Sequence, residues 1–456
     1  MGRTLALVAA AVVLVAGLAL LDERRGREPG DALLAGAREE PDVIEGEAPD
    51  AGLGDTSYLV SCLGSGLTLP EEVPPTPKLS PRGVEEVSRR MERVRELRFD
   101  GPVDAEFLDD DQLDRRIDAL IDRGAPKGLV AKQDAVLELL GAIPPGADLD
   151  ELTREALSEQ VLGLFVPETE ELLVAASGDG GALEQITLAH EVEHALAYDA
   201  LGFPIASRPR PGEGDADLAA HALIEGDATL AMELYALRYV DIDEQLELLD
   251  DPELATGGGS LESLPYFLRR QLLFPYEAGL RYVCSRYEEG GWDGVDRAYA
   301  DPPGSTAELL DPDGGPIETA APPVSGSLPG PWRRTLSDQI GAAELSWLFE
   351  APGDDRGAAL PGAPDAAADW RGGTFALWQD GARSALGIAL AARPGGDLCG
   401  AMIAWYGASR PEATLEVEGE STLFTEPGRA ASVTCKEDGV GVGIAPDAAA
   451  ATALAG

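Results

Sequence analysis

The stretch ITLAHEVEHALAYDALG, from Ile186 to Gly202, carries the strongest chemical pattern in the chain. It contains two of the three histidines among the 456 residues, His190 and His194, which are four positions apart. Because residues i and i+4 lie on the same face of a helix, both imidazoles can bind one metal ion. Glu191 lies about 100° further around the helix, where its carboxylate is suited to act as a base rather than as a ligand. We interpret Glu193 as solvated surface, and an ordinary acidic helix is the alternative interpretation of the whole stretch.

The third metal ligand is expected on the next predicted helix, which runs from about residue 216 to 240. A catalytic zinc ion has three protein ligands and one open position. In DLAAHALIEGDATLAMELY, His221 and Glu225 are four apart on one face, so either of them can complete the site. Asp227 and Thr229 follow Glu225 closely, and either can orient a ligand through a second layer of hydrogen bonds.

The fold around these helices is predicted to be α+β, mainly helical, with a small hairpin or sheet. Amphipathic segments begin near residue 83, and LGLFVPETEELLVAA (162–176) places two apolar runs on either side of a Pro-Glu-Thr turn. This hairpin directly precedes the histidine helix, and an edge strand there would bind an extended peptide by strand addition. Short strand-like segments separated by turns predict a small β-rich domain over 352–445.

The N-terminal residues predict export from the cytoplasm. Arg3 precedes an unbroken apolar run over residues 5–21, which is typical of a signal peptide or an N-terminal membrane anchor spanning 1–22. Residues 23–82 are acidic and rich in Pro and Gly, which predicts a disordered tether, although GDTSYLVSCLGSG within it is apolar enough to dock on the folded part. We also expect 446–456 to be a disordered tail.

Charge and cysteine content agree with an exported protein that does not bind polyanions. The chain has 82 acidic and 35 basic residues and a formal net charge of −47, which repels nucleic acid but is compatible with cationic peptides. Cys399 and Cys435, both in the predicted β-rich region, are the more plausible disulfide, and Cys62 and Cys284 are a second one. Four free thiols are the alternative.

A series of motifs follows in order along the chain: LSEQVLGLFVPETEELLVA, ITLAHEVEHAL, ALIEGDATLAMELY, LLFPYEAGLRYV, GGWDGVDRAYADPPGSTAELLDP and DWRGGTFALW. Together, over about residues 88 to 380, they resemble a family of exported bacterial gluzincin-like zinc metallopeptidases of largely unassigned substrate. The resemblance implies a zincin-like peptidase domain over 83–350. It also implies that His190, His194 and Glu225 bind one Zn²⁺ ion and that Glu191 is the catalytic base.

The chain departs from that family at two positions. Asp311 occupies a place where a histidine is common, so any substrate or oxyanion contact made by that histidine would be lost. His221 stands where small residues or arginine are more usual, and it is either an addition particular to this chain or a helix histidine with ordinary polar contacts. Tyr266, Tyr276 and Tyr282 are candidate oxyanion donors, but tyrosines at such spacing are more often core residues, and the sequence favours none of the three as a donor.

The function predicted from these features is an exported zinc-dependent metallopeptidase that hydrolyses peptide bonds with a zinc-activated water. Its substrate would be a peptide or protein outside the cytoplasm, and residues 5–21 would anchor it to the membrane if they are not removed. The alternative is a catalytically weak metal-binding surface protein that uses the peptidase scaffold to bind a protein or cell-wall partner.

Overall fold

The computed structural model describes residues 57–64, 73–124, 127–158, 163–176, 180–204, 212–249 and 260–456. The expected signal or anchor segment 1–22 and most of the expected tether 23–82 lie outside these residues. The described part is an α+β structure, as predicted. None of its helices combines the length and the apolar character that crossing a membrane requires.

The helices of the described residues are α1 (Ser57–Gly64), α2 (Pro81–Arg95), α3 (Asp110–Gly124), α4 (Lys127–Leu140), α5 (Leu149–Ser158), α6 (Ala182–Leu201), α7 (Gly214–Tyr239), α8 (Ile242–Leu249), α9 (Ser260–Ser263), α10 (Tyr266–Gly290), α11 (Trp292–Ala300), α12 (Thr306–Leu310), α13 (Ala342–Glu350), α14 (Ala363–Ala367), α15 (Leu398–Ser409) and α16 (Ala448–Ala455). The strands are β1 (Ala105–Leu108), β2 (Gly163–Val166), β3 (Glu171–Ala175), β4 (Arg333–Gln339), β5 (Trp370–Asp380), β6 (Arg383–Ala392), β7 (Thr414–Glu418), β8 (Ser421–Glu426), β9 (Arg429–Lys436) and β10 (Gly439–Ala445).

The predicted hairpin is present as β2 and β3, within a three-stranded sheet of order β1-β3-β2. Strand β3 pairs in parallel with β1 and antiparallel with β2, so β2 is the edge strand. All four residues of β2 are buried, because α6 packs against this strand. The edge strand and the histidine helix are therefore neighbours in space as well as in sequence.

Helix α6 ends where glycine permits a sharp change of direction. Gly202 has φ +74°, a conformation that glycine adopts without strain, and its N–H donates to the carbonyls of Ala197 and Tyr198. Helix α7 packs against α6 on one side and against α10 on another. A Cβ atom on Gly226 of α7 would lie 2.2 Å from the carbonyl carbon and oxygen of Gly279 in α10. The two helices therefore meet backbone to backbone, which only small residues allow.

The larger sheet begins earlier in the sequence than expected. Its order is β4-β5-β6-β10-β9-β8-β7, all antiparallel pairs, and β4 starts at Arg333 rather than near 352. One continuous hydrophobic core joins this sheet to the helices. Phe274 of α10 packs on Trp347 of α13 with ring centroids 5.5 Å apart, and the indole of Trp370 donates to the Ile340 carbonyl at 3.1 Å.

The prediction of a disordered tail over 446–456 is wrong, because this segment forms α16. Asp447 caps the helix by accepting from the N–H of Ala450 at 2.9 Å. Ala451 and Leu454 are buried against the sheet, where Gly443 of β10 lets the helix approach closely. An alanine-rich helix with a good N-cap thus covers strands that carry glycine instead of side chains.

Both cysteine pairings suggested by the sequence are present as disulfides. Cys62–Cys284 joins α1 to α10, so the apolar segment within the expected tether does dock on the folded part. Cys399–Cys435 joins α15 to β9. Cys399 lies on a helix rather than on the strand expected there, since Asp397 caps α15 by accepting from the N–H of Gly400 at 3.0 Å.

Candidate metal centre

The structure brings His190 and His194 of α6 together with Glu225 of α7. The Nε2 atoms of both histidines lie 3.3 Å from the same Glu225 oxygen, Oε2. One potential ligand atom from each residue lies within 4.8 Å of the others, and all three side chains are buried. Within the described part of the chain, no other group of three or more His, Cys, Asp or Glu residues is arranged in this way.

The donor atoms of this group fit a metal ion. Two imidazole nitrogens and one carboxylate oxygen form a set that binds divalent transition metals well. Each histidine points Nε2 toward the shared carboxylate oxygen, and in the described residues neither Nδ1 atom has a hydrogen-bond partner. A cation bound by His190, His194 and Glu225 would leave further coordination positions for water or substrate.

The electrostatics of the group already resemble those of a cation site. Burial alone would raise the pKa of Glu225, but the adjacent His194 and His190 hold it well below its ordinary range. Burial would lower the pKa of His194, whereas the carboxylates around it, Glu225 first, raise the pKa to about 9. For His190 burial dominates and lowers the pKa. Glu225 is thus an ionised buried carboxylate held by neighbouring positive charge, and a metal ion can supply that charge.

Glu191 lies beside the three candidate ligands and contacts the edge strand. Its Oε2 atom accepts a hydrogen bond from the backbone N–H of Phe165 in β2 at 2.8 Å. The other oxygen, Oε1, is buried and has no hydrogen-bond partner in the described residues. Burial raises the pKa of Glu191 to about 7. One carboxylate oxygen is therefore fixed by the sheet, and the other is available to a reacting group.

His221 lies one helical turn before Glu225 and faces the outer oxygen of that carboxylate. Its Nε2 atom is 3.6 Å from Glu225 Oε1, and the side chain is buried. It is not part of the converging ligand set. Of the two possible third ligands on α7, the structure therefore places Glu225 between the histidines and His221 behind it.

The expected second layer of hydrogen bonds differs from the prediction. Asp227 accepts two hydrogen bonds from Arg95, at 2.8 and 3.0 Å, and the hydroxyl of Thr229 donates to the main-chain carbonyl of Glu225 at 2.6 Å. No contact of either side chain with a ligand side chain is observed among the described residues. Sequence reasoning missed Arg95, which is fully buried at the end of α2.

The interpretation of Glu193 as solvated surface is wrong. The side chain is fully buried, with Oε1 3.8 Å from Arg95 Nε and Oε2 3.9 Å from His194 Nδ1. Burial, together with the nearby Asp227, raises the pKa of Glu193 well above its ordinary range. The physical reason is that α2 and α7 both pack on α6, so the side of this helix away from the metal group is covered rather than solvated.

One of the three tyrosines considered as oxyanion donors lies at the site. The Tyr276 ring is 6.3 Å from the His190 ring between centroids, and its buried hydroxyl has no hydrogen-bond partner in the described residues. Tyr266 instead donates to Glu350 at 2.6 Å, and Tyr282 packs under the Arg286 guanidinium. Asp311 is exposed at the C-terminal end of α12.

Comparison with known proteins gives no further information on the site. No protein-family model, curated protein or solved structure matches this chain at a significant level.

Proposed function

We propose that this protein is a zinc-dependent metallopeptidase. The observation that carries the proposal is the position of Glu191, a buried carboxylate with one free oxygen beside a convergent His-His-Glu group. His190, His194 and Glu225 would hold the ion, as the resemblance to gluzincin-like peptidases also implies. A bound zinc ion would polarise the substrate carbonyl and lower the pKa of water.

In this proposal Glu191 moves the proton. Its free oxygen accepts a proton from the attacking water and passes it to the amine that leaves when the peptide bond breaks. The hydrogen bond from Phe165 keeps the carboxylate in place during both transfers. A protein that only binds metal has no use for a carboxylate held in this manner, so Glu191 favours catalysis over binding alone.

An extended peptide is the substrate that the neighbouring sheet favours. Strand β2 pairs with β3 along one edge, and along its other edge the Phe165 N–H points toward Glu191. All four residues of β2 are buried in the structure, so a peptide added beside this edge must displace part of what covers it before it can run past the carboxylate and present a backbone carbonyl to the site. The acidic chain also suits cationic segments in that peptide.

Tyr276 is the residue best placed to stabilise negative charge on that carbonyl oxygen. It is the tyrosine beside His190, and its buried hydroxyl lies near the Glu225 carboxylate without a hydrogen bond of normal geometry in the described residues. A hydroxyl of this kind stabilises an oxyanion more strongly than it stabilises the neutral carbonyl. We expect Tyr276→Phe to lower kcat by about 10²-fold while metal content is unchanged.

The test combines metal analysis with digestion of a diverse peptide library, with and without chelator. We expect about one equivalent of zinc, cleavage that the chelator abolishes, and loss of metal in His190→Ala. Glu191→Gln should keep the metal and lose at least about 100-fold in rate. Glu184→Gln, on the first turn of the same helix, is the matched control and should behave like the unaltered protein. Absence of metal, or full activity of Glu191→Gln, would refute the proposal.

A metal-binding protein with little catalytic activity is the second candidate, and His221 is the observation that favours it. If His221 joined the three ligands, the site would have four protein ligands and would be closed, as structural zinc sites are. Its distance of 3.6 Å from Glu225 Oε1 favours an orienting contact instead. A cobalt-loaded His221→Ala variant should therefore keep the visible absorption spectrum of the unaltered protein. A changed spectrum together with no peptide cleavage would support the second candidate.

We further propose that the protein acts outside the cytoplasm. The two disulfides are compatible with an oxidising compartment, and the apolar run over residues 5–21 supports export, with or without retention as an anchor.

A further inference from the structure

A buried charged cluster lies behind His194, on the side of α6 away from the other ligands. We call it the Arg95 cluster, and it consists of Arg95, Glu193, Asp227, Asp296 and Tyr299. Arg95 donates to both oxygens of Asp227 and, at 2.6 Å, to Asp296 Oδ1. Its guanidinium also packs 4.4 Å from the ring centroid of Trp292. The cluster thus surrounds the guanidinium of Arg95, from α2, with side chains from α6, α7 and α11.

Several polar atoms of this cluster are buried but not hydrogen-bonded. Within the described residues, Arg95 Nη1, the Tyr299 hydroxyl, both carboxylate oxygens of Glu193 and His194 Nδ1 make no hydrogen bond of normal geometry, although the Asp227 carboxylate lies close to both Glu193 and Tyr299. A buried polar group without a partner costs about 1–3 kcal/mol. Unpaired donors and acceptors in one place therefore favour a small rearrangement, or a bridging water, that joins them.

The orientation of His194 decides which of its nitrogens is available to the cluster. Its Nε2 atom faces Glu225 and is the nitrogen that a metal ion would take. A neutral imidazole that binds metal through Nε2 carries its proton on Nδ1. The carboxylate oxygen facing that Nδ1 is Glu193 Oε2, at 3.9 Å. Histidines that bind metal ions almost always donate this second N–H to a carboxylate, carbonyl or water.

We propose that Glu193, held in place by the Arg95 cluster, is a positioning residue that accepts the Nδ1–H of His194 when a metal ion is bound. The inference rests on the proposed metal centre. Arg95 attracts the Glu193 carboxylate, since its Nε atom lies 3.8 Å from Oε1, and Arg95 is itself held by hydrogen bonds to Asp227 and Asp296. Asp227 thus supports the ligand as the sequence suggested, but through Arg95 and Glu193 rather than by direct contact.

A purely structural role for the cluster makes a different prediction. If Glu193 only helped to hold four helices together, its replacement would lower stability without a specific effect on metal binding. If it orients His194, the acceptor oxygen is what matters. Glu193→Gln keeps an acceptor of the same shape, whereas Glu193→Leu removes the acceptor and fills similar volume. Comparing the two variants separates the loss of an acceptor from the loss of packing.

The first experiment measures zinc and cobalt affinity by chelator competition in the folded full-length chain. We expect Glu193→Leu to bind about 10- to 100-fold more weakly and to show an altered cobalt spectrum, with Glu193→Gln close to the unaltered protein. Glu344→Leu is the control, because this carboxylate caps α13 by accepting from the Gly341 N–H and lies outside the cluster. It should lower stability and leave affinity unchanged.

A second experiment needs no substitution at the cluster, so it tests whether His194 carries a protected proton on Nδ1 even if Glu193→Leu fails to fold. The chain has three histidines, so ¹⁵N-labelling of histidine alone gives few ring signals, and those of His221 are identified with His221→Ala. In the zinc-loaded protein we expect a His194 Nδ1 proton that exchanges slowly with solvent. A proton on Nε2 instead, or rapid exchange at Nδ1, would overturn the inference.

The outcomes separate this inference from the proposed function. If the unaltered protein binds no metal, the metal centre and the inference fail together. If the unaltered protein and Glu193→Leu bind metal equally well and give the same cobalt spectrum, the inference alone fails. Weaker binding by both Glu193→Leu and Glu344→Leu would show that general destabilisation is the cause, and it too would overturn a positioning role.

Discussion

Replacing Gly226 with alanine should disturb the proposed metal centre although Gly226 is not one of the proposed ligands. An ideal Cβ at this position lies 2.2 Å from the Gly279 carbonyl, whereas ordinary contact begins at 3.4 Å. The obstructing atoms belong to the backbone of α10, so they cannot rotate away as a side chain would. Helices α7 and α10 must therefore separate locally by about 1 Å, next to Glu225 and one turn from Tyr276.

The magnitude follows from two opposing contributions. Alanine is favoured over glycine in a helix by about 1 kcal/mol, whereas overpacking against a rigid backbone costs about 3 kcal/mol. We expect a net loss of about 2 kcal/mol in the free energy of unfolding. Since ligand positions must be kept to about 0.2 Å, a displacement of α7 should also weaken metal binding at least tenfold.

Urea unfolding and chelator competition test both parts of this prediction. Gly128→Ala is the matched control, because Gly128 also lies in a helix and a Cβ there meets nothing within 4 Å. That control should gain up to about 1 kcal/mol and keep the metal affinity of the unaltered protein. If Gly226→Ala were as stable as Gly128→Ala and bound metal equally well, the argument from the helix contact would be refuted.

Three further predictions concern parts of the chain outside the metal group. Burial raises the pKa of Asp215 from 3.8 to about 6, so protonation of this carboxyl favours the folded state. That stabilisation is complete below about pH 4 and is lost as the pH rises through 6. Asp215→Asn, which keeps an acceptor for Thr306, should therefore remove about 2 kcal/mol of pH-dependent unfolding free energy between pH 4 and 7; an unchanged profile in urea titrations would contradict this. Opening the Cys62–Cys284 disulfide, which closes a separation of 222 residues, should lower the free energy of unfolding by about 2–5 kcal/mol, measured with the double Ala variant under oxidising conditions. Removal of residues 446–456 should cost about 3 kcal/mol by exposing the face of β10 that α16 covers, and thermal unfolding at an unchanged midpoint would argue against it.

The two histidines of the proposed metal site were predictable because their arrangement follows from local geometry. Spacing of four on a helix places His190 and His194 on one face whatever the rest of the chain does. The choice between His221 and Glu225 did not follow from spacing, since both lie on the same face of α7; only the resemblance to gluzincin-like peptidases implied Glu225. Which of the two side chains meets the histidines depends on the point along α6 at which α7 crosses it. That point is a tertiary property, and the spacing of residues in the sequence does not show it.

The Arg95 cluster was not predictable, because it depends on contacts between distant segments rather than on local geometry. Glu193 is an acidic residue on a helix, and such residues are almost always exposed unless they are paired. Arg95, the side chain that accompanies it in the interior, lies far away in the sequence at the end of α2. Only the packing of α2 and α7 on α6 brings the two charges together, and no pattern within either segment indicates the partner.

The helices α15 and α16 near the C-terminus were not predicted, although local features of the sequence indicate them. Short apolar runs with small residues do not distinguish a strand from a buried helix, and LCGAMIAWYGAS in α15 is such a run. Yet Asp397 and Asp447 each precede the helix that they cap, and alanine is the strongest helix former. Giving more weight to N-cap residues would have predicted α15 and α16 as helices.

Three consecutive residues of α7 connect these observations. Successive residues on a helix point about 100° apart, so Glu225, Gly226 and Asp227 must face three different neighbours. Glu225 faces the histidines of α6, Gly226 contacts the backbone of α10, and Asp227 binds Arg95 from α2. One short sequence thereby provides a proposed ligand, the close approach that brings Tyr276 to the site, and the ion pair behind His194. A change in any one of the three should reach the metal centre, although only the first of them would bind the metal.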